Sequence, residues 1–104
     1  IPLAVGPEVP GAGGVALAAP SPNPAVNTLR LPFALPGETA VRLNILDAQG
    51  RRVRVLVDGL LGQGTHNETW NLCDDAGRSV PAGLYFAQLQ VLGRSHVRRI
   101  AVTR

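Results

Sequence analysis

The sequence predicts an all-β fold, a sandwich of about seven antiparallel strands behind an extended N-terminal arm. Three observations lead there. Apolar and polar residues alternate at a period of two in segment after segment, and no window holds a persuasive 3.6-residue period. Turn signals built from Gly, Pro, Asn and Asp separate these segments every 8 to 15 residues. The 104 residues are 45% hydrophobic but include only Phe33, Trp70, Tyr85 and Phe86 as aromatics. A single core made mostly of Val, Leu, Ile and Ala suits sheet packed on sheet.

Residues 1–14 read as the arm. Pro2, Pro7 and Pro10 forbid a helix there, Gly11, Gly13 and Gly14 form a flexible joint, and Glu8 is the one charged residue. The folded domain is expected over residues 15–104. Its first segment poses a question. Val15, Leu17 and Ala19 share one parity and so one face, which needs a partner either within the chain or in another molecule. The rigid Pro22-Asn23-Pro24 turn follows. Leu29, Leu31, Phe33 and Leu35 then alternate with Thr28, Arg30 and Pro32, and Pro32 marks an edge strand or a bulge.

Val41, Leu43 and Ile45 form the next strand. The stretch Asp47-Ala48-Gln49-Gly50 closes a hairpin, and Val53, Val55 and Val57 return beside it. Thr65 to Trp70 is another strand, with Trp70 as central core anchor. Beyond a polar loop, Tyr85, Ala87, Leu89 and Val91 share a face. A turn at Gly93 leads to the last strand, with Ile100 and Val102 inward.

Composition excludes several classes of function. All ten basic residues are arginine, so no lysine is present for a Schiff base, a phosphate-binding loop or an isopeptide cross-link. The net charge of +3 is scattered along the chain. Nucleic-acid binding asks instead for a clustered basic stripe, so no nucleic-acid partner is expected. Cys73 stands alone, without a disulfide partner or zinc-ligand spacing. No apolar run reaches the roughly 18 residues that cross a bilayer. A chain that begins at Ile1 and contains no Met reads as processed, as after removal of a signal peptide, and points to export and an extracellular or cell-surface location.

Catalytic chemistry is sought and not found. His66 and His96 are the only imidazoles, and Ser21, Ser79 and Ser95 all fall in turns. Ser95 and His96, adjacent on a strand, point to opposite faces and form no working pair. Asp74 and Asp75 lie in a Gly-containing loop and are calcium candidates beside the simpler reading that they cap a turn. No catalytic residue, metal-ligand set or cofactor is expected.

Several stretches carry a family likeness: "SPNP" (21–24), "LPGETAVRLNILDAQGRRVRVLVDG" (35–59), "GTHNETWN" (64–71), "DDAGRSVPAGLYFAQLQ" (74–90) and "RRIAVTR" (98–104). In this order they resemble the immunoglobulin-like domain of the flagellar hook-capping protein and the C-terminal sorting domain of bacterial proteins exported by the Por (type nine) secretion system. The resemblance implies an immunoglobulin-like β-sandwich in which residues 15–19 form the domain's own first strand. It also implies that Tyr85 is a large inward ring whose hydroxyl ties down a loop. Glu68 stands where the family has an apolar residue, and Arg104 replaces its lysine-bearing ending.

Two functions are therefore expected. In the first, the chain is a secreted structural module that self-assembles into an extracellular fibre. Ile1, Leu3 and Val5, with Val15 and Leu17, would supply an assembly strand donated to a neighbour's sheet edge, while Phe33, Trp70 and Tyr85 anchor the core. In the second, it is a sorting or anchoring domain of a larger secreted protein, and its partner is secretion or surface machinery rather than itself.

Overall fold

Period-two alternation becomes two stacked sheets. The computed structural model describes residues 15–103. Its strands are β1 (Ala16–Leu17), β2 (Leu29–Leu35), β3 (Thr39–Asp47), β4 (Arg52–Leu61), β5 (Gly64–Trp70), β6 (Gly83–Val91) and β7 (Arg94–Val102). One sheet has the order β1-β2-β5 and the other β4-β3-β6-β7, with every pairing antiparallel. The core lies between the sheets. Leu29, Leu31, Phe33 and Leu35 face Val41, Leu43, Ile45, Ala87, Leu89 and Ile100 across it, and all are buried.

Trp70 is fully buried and meets the Tyr85 ring edge-on at 5.6 Å. Each ring places its polar atom where a loop needs a partner. Trp70 Nε1 donates to the Cys73 carbonyl at 2.8 Å, and the Tyr85 hydroxyl donates to the Pro81 carbonyl at 2.7 Å. Phe33, also buried, stacks on His66 of β5 with ring centroids 5.4 Å apart.

The oily segment finds its partner at home. Ala16 and Leu17 pair with Ala34 and Phe33 of β2, and the Leu17 side chain is buried in the chain's own core. Val15 packs against the same core. Of the residues expected to form an assembly strand, Val15 and Leu17 thus complete this domain, whereas Ile1, Leu3 and Val5 lie outside the described residues.

Two further expectations need correction. Pro32 lies in β2, which has neighbours on both sides rather than standing at an edge. Its carbonyl accepts from Ala18 N at 3.0 Å, but it has no N–H to return, so β1 ends where Pro32 would have had to donate. The Val53, Val55, Val57 alternation is broken by register shifts in the β3–β4 pairing. Bulges put Val53, Leu56 and Val57 against the core, while Val55 pairs with Asn44 on the outer face.

Candidate functional site

Among the described residues no catalytic constellation is assembled. His66 Nε2 donates to the Gly62 carbonyl at 2.8 Å, and His96 is half-buried in β7. Cys73 is half-buried, its Sγ 3.6 Å from the Asn71 carbonyl. Among the described residues no three His, Cys, Asp or Glu side chains converge as a metal site.

The Asp74 and Asp75 carboxylates are occupied by backbone amides. Asp74 Oδ1 accepts from Ala76 N and Arg78 N, and Asp75 Oδ1 accepts from Val55 N. The Asp74 contacts are those of a turn cap, whereas the Asp75 contact ties the loop to β4.

On the outer face of the larger sheet, Asn44 is buried and its Nδ2 donates to both Gln88 and Gln90 at 3.2 Å. This carboxamide ladder holds β3 to β6.

The informative geometry is at the sheet edges. β1, β5, β4 and β7 are the terminal strands, and an unpaired edge is a template for another chain. Three of the four are blunted. β1 is two residues long. β5 turns Glu68, half-buried and opposite Leu31, towards the inner face, and an inward charge makes foreign pairing costly. β4 is bulged, and the loop after β5 covers its first half: Asp75 N donates to Val53 O at 3.0 Å, and an Arg54 guanidinium nitrogen donates to the Asp74 carbonyl at 3.2 Å.

β7 is blunted along one half only. Ala25 N donates to Ala101 O at 2.8 Å, and Thr103 N donates to Ala25 O at 2.9 Å. One step along, the Asn23 side chain takes over the role of a backbone. Its Nδ2 donates to Arg99 O at 3.1 Å, and its Oδ1 accepts from Ala101 N at 3.0 Å. A carboxamide has the donor and acceptor of a peptide group, so it can stand in for one. This contact was invisible in the sequence, where Asn23 reads only as a turn residue.

Beyond Asn23 the cover by described residues stops. The β6–β7 register has no shift, so Ser95 and Val97 point their N–H and C=O groups the same way as Arg99 and Ala101. Among the described residues no hydrogen bond reaches the Ser95 or Val97 groups, or Arg99 N. Beside this bare length is a groove of about 600 Å³, whose lining includes Val15, Ala16, Leu17, Phe33 and His96. Arg98 Nε donates across it to the Leu17 carbonyl at 2.9 Å, tying the β7 wall to the β1 wall.

A family model described as the FlgD Ig-like domain matches residues 25–94. The chain belongs to that family. Solved structures share its fold. Dimeric latent PorU from Porphyromonas gingivalis aligns with a TM-score of 0.70 and 17% identity, over 86% of this chain and 9% of that one. PorZ, described as an essential surface component of the type-IX secretion system of the same bacterium, aligns with a TM-score of 0.57 and 21% identity, over 92% and 12%. FlgD from P. aeruginosa aligns with a TM-score of 0.54 and 24% identity, over 72% and 60%. This FlgD-like chain therefore spans a small part of PorU and of PorZ and three fifths of that FlgD chain, and the likeness is one of fold. No curated protein matches the sequence.

Proposed function

We propose that this FlgD-like domain is a non-catalytic structural module of an exported bacterial protein, acting outside the cell or at its surface by joining copies of itself. The observation that supports it best is the half-covered β7. Every other terminal strand is short, bulged or carries an inward charge, whereas among the described residues nothing pairs with part of β7 beside the groove. Added strands bind through such edges, with main-chain hydrogen bonds giving affinity and alternate side chains giving specificity. Sedimentation velocity of the full chain over a wide concentration range tests this. Species larger than the monomer that grow with concentration are expected, and a monomer throughout would contradict self-assembly.

A second reading is that the module sorts or anchors a larger exported protein. The likeness to PorZ, described as an essential surface component of the type-IX secretion system, favours it. Its test is a reporter protein fused ahead of this chain in a bacterium carrying that system. Export of the fusion but not of the bare reporter would support sorting, and retention of both would count against it.

A further inference from the structure

Building on the self-assembly reading, we propose that the bare length of β7, residues 95–99, together with the groove beside it, is an acceptor slot for residues 1–5 of a second copy. Three features set its length and occupant. Asn23 closes one end by holding Arg99 O and Ala101 N, and the slot runs from there to Ser95 near the start of β7. Five residues in extended form span about 13 Å.

The prolines of the arm fit the same slot. A proline in an added strand must turn its nitrogen away from the partner. With Pro2 turned away, Ile1, Leu3 and Val5 are the residues whose backbone faces β7, and Pro7, of the same parity as these three, cannot donate, so pairing ends after Val5. Ile1, Leu3 and Val5 also share a parity that sends three apolar side chains to one face, and the apolar surface lining the groove includes the half-buried Val15 and the exposed Val97.

A second copy is the source because Val15, the first described residue, already lines the groove. A strand from the same chain would have to reverse through residues 6–14, while one from a neighbour need not. Each copy then donates at one site and accepts at another, and such head-to-tail contacts make open chains or closed rings of many copies.

The test uses full-length chains carrying Leu3→Asp, which spoils the donor, or Val97→Pro, which removes an outward N–H that the fold itself does not use. Sedimentation velocity is run on the wild type, each variant alone and an equimolar mixture. The wild type should form long species, each variant alone should stay monomeric, and the mixture should form dimers, because each copy of one variant can join only one copy of the other. A folded Val97→Pro chain that assembles like the wild type would overturn the slot while leaving self-assembly standing. A wild type that never assembles would remove the reading beneath it.

Amide exchange keeps the proposal open to refutation if Val97→Pro fails to fold. The Val97 and Arg99 amides should exchange about tenfold or more slowly in the wild-type assembly than in Leu3→Asp. Equal rates would exclude the slot, and slowed exchange in a wild-type monomer would assign the strand to the same chain instead.

Discussion

Two loops of this domain share one chemistry and differ in reach. Asp47-Ala48-Gln49-Gly50-Arg51 joins β3 to β4, and Asp74-Asp75-Ala76-Gly77-Arg78 lies between β5 and β6. In each, the Asp N–H donates to the Arg carbonyl at 2.8 Å, and the Gly N–H donates back to the Asp carbonyl at 2.9 Å. In each, the Asp carboxylate accepts from the amides two and four residues on, and Gly adopts φ of +84°.

The second position separates them. Ala48 reaches nothing, whereas Asp75 binds β4 through Val53 O and Val55 N and so seals a strand edge. Five residues of sequence determine a turn, and at its second position the main-chain N–H and carboxylate of Asp75 together guard a sheet edge.

The comparison can be broken most forcefully from the core. The second loop hangs on the Trp70 contact to Cys73 O, and the first has no such anchor. Trp70→Ala should destabilise the fold by about 3–5 kcal/mol in urea unfolding. The exchange of the 74–78 amides should rise before that of the 47–51 amides. Simultaneous loss would make the two loops one unit.

Gly50→Ala and Gly77→Ala sharpen the claim of shared chemistry. Neither site crowds a new Cβ, so only left-handed strain remains, and each should cost about 1–2 kcal/mol. Costs that differ by more than their errors would separate the turns.

Asp75→Ala should cost about 0.5–1.5 kcal/mol and speed exchange at Val55, while Ala48→Asp changes little. An equal response to the two substitutions would remove the guarding role.

The smallest effect is electrostatic. The Asp47 carboxyl is held below its ordinary value of 3.8, first by the Arg51 backbone N–H and then by Gln49 N–H and the Arg51 side chain, against a partial burial that opposes them. A depressed folded pKa adds stability above the unfolded value that is lost as pH falls through the folded one. The melting-temperature gap between wild type and Asp47→Asn should hold steady above about pH 5 and narrow below pH 3.8. A gap independent of pH would deny the carboxylate this role.

Much of the fold is legible locally. The alternation of Leu29 to Leu35 and of Val41 to Ile45, and the turn chemistry at Asp47 to Gly50, locate strands without knowledge of their neighbours. Tyr85 and its loop contact follow from the family likeness. What stays hidden depends on pairing between distant segments. The β4 bulges answer the register that β3 imposes, and Pro32 can lie between two strands only because β1 is short. Asn23 meets Arg99 and Ala101 across 76 and 78 positions of sequence. No local pattern announces a side chain acting as backbone, and the bare half of β7 is defined by where that contact stops.

The most direct test of the account is electron microscopy of the purified full chain beside a version lacking residues 1–12. The account predicts fibres from the full chain and their loss on truncation. Isolated particles of one domain's size in both samples would contradict self-assembly through the N-terminal segment and leave sorting or anchoring as the function to pursue.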